Sequence, residues 1–197
     1  MRTLATAVPN RYRAMVLLAG FGGLRWGEVA GLEVRHVNWA DGCVKVRQQL
    51  QAVDGGTPTL VALKTDAAWR TVFLHPEVMD ALRHHVDTYD LASLLFTTPT
   101  RDALRASNWR RKVWKPATKK AGCVGIRFHD LRHTAGTLAA RTGATTKELM
   151  AHGPRDIHAA MRSQHATEDR QKAIADRMAR DLAPDTNVVP LRPTADE

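Results

Sequence analysis

A change of period part-way along the chain most constrains its fold. Tyr12, Met15, Val16, Leu18 and Ala19 carry apolar side chains at helical spacing over 10–20, with Asn10 placed to cap the start. Gly20, Gly22 and Gly23 then break that pattern, and a second short helix is expected from about Arg25 to Leu32. Between Cys43 and Leu74 the period drops to two. Val44, Val46, Leu60, Ala62, Val72 and Leu74 alternate with polar residues, which predicts three short strands. Asp54-Gly55-Gly56 supplies the first turn and Thr65-Asp66-Ala67-Ala68 the second, so Lys64 sits at a turn edge.

Beyond Leu74 the helical period returns. Pro76 opens a helix to about Tyr89, and Leu94-Leu95-Phe96 is an apolar stretch of undefined type. Ser107 is expected to cap a basic helix carrying Trp109, Arg110, Arg111, Lys112, Trp114 and Lys115. Another helix runs from about His129 to Arg141 and ends at Gly143, and one containing Glu148 and Leu149 begins at Thr145 or Thr146. The last, Thr167 to Ala183, is stopped by Pro184. A small antiparallel sheet set early into a mainly helical chain is an α+β fold. The expected division is one domain over 1–183 and a flexible tail over 184–197.

Composition agrees with a single folded domain: 197 residues, 44% hydrophobic and 25% charged. No apolar run reaches the roughly 20 residues of a membrane span. The start lacks a charged-then-apolar signal pattern, so a cytoplasmic protein with no membrane partner is expected. Cys43 and Cys123 do not form a metal-type pair and read as reduced thiols. The 29 Lys and Arg against 20 Asp and Glu give a net charge of +9, which favours a polyanionic partner.

Three widely separated stretches carry the chemistry. They are Gly23-Leu24-Arg25-Trp26-Gly27-Glu28, Lys64 between two strand-like runs, and His129-Asp130-Leu131-Arg132-His133. Two arginines, a lysine and a histidine are what phosphoryl transfer without a metal needs. Guanidinium forks hold non-bridging phosphate oxygens bidentately. Fixed donors aimed at developing charge supply the largest catalytic contribution. A lysine can protonate a departing alkoxide.

On these residues the chain resembles the catalytic domain of tyrosine recombinases, in particular phage integrases of the actinobacterial type. The similarity runs from about Ala7 to Met178. It implies that Arg25 is the first phosphate clamp, Glu28 a structural partner of that box, Lys64 in Leu63-Lys64-Thr65-Asp66 the general acid, and Arg132 the second clamp. His129 would transfer or orient a proton. It further implies double-stranded DNA as partner, a homo-oligomer or mixed tetramer on that DNA, and neither metal nor other cofactor. The family's integrases also carry an N-terminal core-binding domain. Since the chain starts about where the catalytic domain starts, that domain is expected to be absent.

Two positions depart from the family's pattern. Pro154 stands nine residues before Ser163, where a His or Trp is usual, and offers no donor. Ser163, in Arg162-Ser163-Gln164-His165, stands where the family places its nucleophilic tyrosine. A serine side chain is several ångströms shorter, and attack geometry is strict to about 1 Å. Impaired strand cleavage is therefore expected. The alternatives are a catalytically inactive DNA-binding remnant and an inactive protomer of a mixed recombinase assembly.

Other readings of the same residues stay open. His129 and His133 mimic a zinc-protease motif, although that motif wants Glu in place of Asp130 and a third ligand nearby. Lys64 reads equally as an ordinary turn lysine. In the 109–115 helix, Arg110, Arg111, Lys112 and Lys115 are candidates for DNA contact. Equally, Trp109 and Trp114 could be core, with those cations a solvated face.

Overall fold

The computed structural model describes residues 1–53, 56–63, 69–142 and 144–145. The expectations for Asp54, Gly55, Lys64, the 65–68 turn and Gly143 lie outside the described residues. So do those for the helix with Glu148 and Leu149, for Pro154 and Ser163, for the Thr167–Ala183 helix and for the tail.

Helix α1 (Arg2–Ala7) leads into α2 (Asn10–Gly22), the centre of the fold. Met15, Val16, Leu17, Leu18 and Ala19 are consecutive and all buried, so the middle of α2 is enclosed on every side. It is packed by α1, by α4 (Pro76–Thr88) and by α7 (Asp130–Arg141). Two expectations are corrected here. Pro9, not Asn10, is the N-cap; its fixed φ enters the helix and Asn10 is the first helical residue. Gly20 and Gly22 do not break the helix, because no residue with positive φ occurs before Gly23, whose φ of 65° closes it. Helix α3 (Trp26–Ala30) follows with Arg25 at its N-cap.

Among the described residues the sheet region holds five strands rather than three: β1 (Val37–Asn38), β2 (Cys43–Val46), β3 (Gln48–Gln51), β4 (Thr59–Ala62) and β5 (Arg70–Phe73). They form a three-stranded antiparallel sheet, β1-β2-β5, and a two-stranded β3-β4 ribbon. Val44, Val46 and Val72 point into the core as the alternation predicts. Leu60 and Ala62 do not. Both are exposed; among the described residues β4 pairs with β3 alone, in a ribbon apart from the three-stranded sheet. Leu74 falls just beyond β5.

Val46 faces Arg70, while Gln48 faces Ala62. Arg47 lies between the two ladders, and its carbonyl accepts from the Leu63 N–H at 3.0 Å. Against β3 the backbone of α3 comes very close. A Cβ added at Gly31 would lie 2.6 Å from the Leu50 nitrogen, and one at Gly27 would lie 2.8 Å from the Leu50 carbonyl. The glycines allow that approach, and Gln48 Nε2 donates to the Gly31 carbonyl at 2.8 Å.

Beyond α4, Leu95 and Phe96 are fully buried, which gives the apolar stretch a core role. The basic helix starts at Ala106 with Arg105 at its N-cap, so Ser107 is inside it and caps nothing. It runs as α5 (Ala106–Trp109), a π-helical segment (Arg110–Trp114) and α6 (Lys115–Lys120). The Lys115 N–H reaches back to the Arg110 carbonyl. This widening falls immediately before Pro116, which has no N–H to give to the preceding turn. Among the described residues, no helix is long and apolar enough to cross a membrane.

Candidate functional site

The left-handed turn at Gly23 redirects the chain so that Arg25, in extended conformation, caps α3. Glu28, one turn on, accepts from the Arg25 backbone N–H at 2.8 Å and from Arg25 Nη1 at 3.3 Å. Its side chain is almost wholly buried. Arg70 of β5 meets it with a fork, Nη1 to Oε1 at 3.0 Å and Nη2 to Oε2 at 2.7 Å. Burial alone would push the Glu28 carboxyl up. The hydrogen bonds and charge of Arg70, then those of Arg25, outweigh it and hold the pKa at about 2. Glu28 is thus a buried anion between two guanidiniums, and the arginine with the marginal bond is the one expected to clamp phosphate.

The second box lies on the first turn of α7. Asp130 accepts from the Arg127 backbone N–H at 2.8 Å and from Arg127 Nη2 at 3.1 Å, which fixes the entry to the helix. Arg132 is 6% exposed, and its Nη1 donates to the Gly23 carbonyl. That bond joins the two boxes across 109 residues of sequence. His129 is the N-cap, its ring 5.5 Å from that of His133. Partial burial lowers the His129 pKa, and the charges of His133, Arg132 and Arg25 lower it further against the opposing Asp130. That both arginines act on this imidazole marks Arg25, His129 and Arg132 as one electropositive cluster.

An aromatic group braces the cluster from behind. Trp26, next to Arg25, packs on Trp109 at 4.8 Å and on Phe128, next to His129, at 5.2 Å. Trp109 also meets Phe128 at 5.4 Å and Trp114 at 5.5 Å, and Trp114 Nε1 donates to the Ile126 carbonyl at 2.7 Å. Trp109 and Trp114 are therefore core residues.

The four candidate cations of the basic helix, Arg110, Arg111, Lys112 and Lys115, are all exposed but not equivalent. Arg110 lines a cleft of about 520 Å³ with Trp26, Leu50, Val53, Pro58, Arg105 and Ser107. Lys112 instead lines an adjoining cavity with Arg11 and Asn108 that shares Pro58, Leu104 and Arg105 with the first. Arg111 and Lys115 line neither.

The structure thus brings Arg25, His129 and Arg132 together, and Arg110 shares a cleft with Trp26, the neighbour of Arg25. Lys64, Pro154 and Ser163 lie outside the described residues; Lys64 follows Leu63, whose N–H donates to the Arg47 carbonyl at 3.0 Å. The sequence reasoning gave no role to Arg70, Trp26 or Phe128. A buried glutamate in the first box was the signal for Arg70, since such a charge needs a fork-shaped partner.

A family model described as "Phage integrase family" matches residues 1–168. The chain is 34% identical over 185 residues to the integrase of Mycobacterium phage D29, covering 89% of this chain and 49% of that protein. It thus spans about half the length of the curated relatives it matches. Among solved structures, it resembles the Tn1549 transposon integrase in complex with a circular intermediate DNA, with a TM-score of 0.72, 20% identity, and coverage of 85% of this chain and 58% of that one. It also resembles the XerA recombinase, with a TM-score of 0.68, 22% identity, and coverage of 89% and 61%. The fold is that of tyrosine recombinase catalytic domains.

Proposed function

The chain belongs to the phage integrase family, and from that premise we propose that it is the phosphodiester-handling catalytic domain of a site-specific DNA recombinase whose strand cleavage is impaired. The observation that carries this reading is the Arg132 bond to Gly23. It seats the second arginine against the turn that presents the first, and both charges are felt by His129. Two guanidiniums so placed suit the non-bridging oxygens of a DNA phosphate, and no step calls on a metal or other cofactor.

In this reading Arg25 and Arg132 hold the phosphate. His129, its pKa lowered, is neutral near pH 7 and orients the attacking hydroxyl or takes its proton. Lys64 protonates the departing 5′ oxygen. In an intact relative, a tyrosine oxygen forms the new bond to phosphorus and the 5′-hydroxyl leaves. Here Ser163 occupies that sequence position and Pro154 the place of the assisting His or Trp. Ser163 has too short a reach for the same trajectory. The +9 net charge and the clamp support double-stranded DNA as the partner, held by a homo-oligomer or mixed tetramer in the cytoplasm. A second reading follows from the same two positions: a DNA-binding remnant, or an inactive protomer among active ones.

The test is a search for SDS-resistant protein–DNA adduct and plasmid relaxation on supercoiled DNA without magnesium. It compares this chain with Ser163→Tyr and with Ser163→Tyr plus Pro154→His. Adduct only from the changed chains is the expected result. Adduct from the unaltered chain that disappears in Ser163→Ala would make Ser163 a nucleophile and overturn the impairment. Salt-sensitive DNA binding with no adduct from any variant would favour the remnant.

A further inference from the structure

The two arginines on Glu28 are not equivalent. Arg70 occupies both carboxylate oxygens, at 3.0 and 2.7 Å, and its side chain is only 16% exposed. Arg25 has one side-chain bond to the same carboxylate, at 3.3 Å, and its side chain is 39% exposed. Among the described residues, the Arg25 Nε and Nη2 donate to nothing. A guanidinium beside a buried carboxylate is ordinarily drawn into a two-bond fork with it. Arg70 forecloses that arrangement because the oxygens are already taken.

Arg70 is also the first residue of β5, directly after the stretch that carries Lys64, and it pairs with Val46 in the ladder. One side chain therefore fastens the strand following Lys64 to the turn that presents Arg25.

We propose that Arg70 is a positioning residue that saturates Glu28, so that Arg25 stays presented to phosphate instead of being captured by its own neighbour. This rests on the reading of Arg25 as a phosphate clamp. It assigns Arg70 a role distinct from fold stability, since any well-packed pair could fill the same space. The physical content is a competition for one carboxylate. Remove Arg70 and Glu28 remains a buried anion whose nearest cation is Arg25. Remove the charge of Glu28 as well and nothing captures Arg25.

The experiment measures affinity for a short DNA duplex, and its salt dependence, at a temperature where circular dichroism shows every variant folded. Arg70→Met is expected to weaken binding on the order of tenfold, as loss of charge-assisted bonds does. It should also reduce the salt slope by about one, matching Arg25→Ala. Adding Glu28→Gln to Arg70→Met should return the slope and most of the affinity, and Arg70→Lys should be intermediate. If Arg70→Met does not fold, Arg70→Lys with and without Glu28→Gln carries the same comparison. An unchanged slope in Arg70→Met, or affinity that follows stability alone across the set, overturns the proposal.

A second readout needs no DNA. The His129 imidazole faces His133, Arg132, Arg25 and Asp130. Withdrawal of Arg25 onto Glu28 should raise the His129 titration midpoint by NMR in Arg70→Met, and Glu28→Gln should reverse it. If the unaltered chain bound no DNA while this shift appeared, the clamp reading would fail and the capture of Arg25 would stand. Absence of the shift would overturn the capture itself.

Discussion

Trp26 and Phe128 meet edge to face with ring centroids 5.2 Å apart, and each is the immediate neighbour of a cluster residue, Arg25 and His129. The side chains that face DNA in the proposed function are therefore set by a contact behind them. Phe128→Ala removes a buried ring from three others and should cost about 3–5 kcal/mol by urea unfolding. A double-mutant cycle with Trp26→Ala should show a coupling of about 0.5–1.5 kcal/mol. Strict additivity of the two changes would mean that the contact is incidental.

Acid should reach the fold through Glu28. Its carboxyl titrates at about 2 in the folded chain, below its ordinary 4.5. Between those values the unfolded chain binds the proton and the folded chain does not. The contribution is thus complete above about pH 5 and is lost as pH falls towards 2, amounting to about 3 kcal/mol in all. Asp130, also lowered by the Arg127 backbone and side chain, acts in the same direction. Denaturant unfolding at a series of pH values should show this loss, and the Glu28→Gln, Arg70→Met double change should flatten it.

Two glycine substitutions should part company. Gly31→Ala places a methyl 2.6 Å from the Leu50 nitrogen and 2.8 Å from the Gln49 carbonyl carbon, both backbone atoms of β3. The ribbon must move, at about 1–3 kcal/mol. Gly20→Ala meets first the Met1 side chain, whose flexible end can turn away. Thermal unfolding should show a clear fall in Tm for the first and little change for the second.

The cations of the basic helix should separate by position. Arg110 shares its cleft with Trp26 and the ribbon, whereas Lys112 opens onto another cavity. If the duplex backbone passes the Arg25 side, Arg110→Ala lowers the salt slope of DNA binding by about one and Lys112→Ala leaves it nearly unchanged. Equal effects would place the duplex across both faces.

Much of the local structure was legible because it depends on near neighbours. The apolar run of α2, the Pro76 helix start and the inward valines of β2 and β5 follow from spacing alone. Two of the misreadings turn on packing between distant elements. The exposure of Leu60 and the passage of α2 through Gly20 and Gly22 depend on what is, or is not, packed alongside.

The sequence by itself determined the chemical inventory: Arg25, His129 and Arg132 in their motifs, Lys64 between strands, and a serine and a proline where the family's pattern calls for other groups. Motif spacing records which side chains a reaction needs. It does not record which side chain 42 residues away closes on a buried charge, as Arg70 does on Glu28. Tertiary structure alone decided that pairing, the Arg132 bond to Gly23 and the aromatic brace. Each is a contact between elements distant in the chain, made because buried charges and ring edges must find partners once water is excluded.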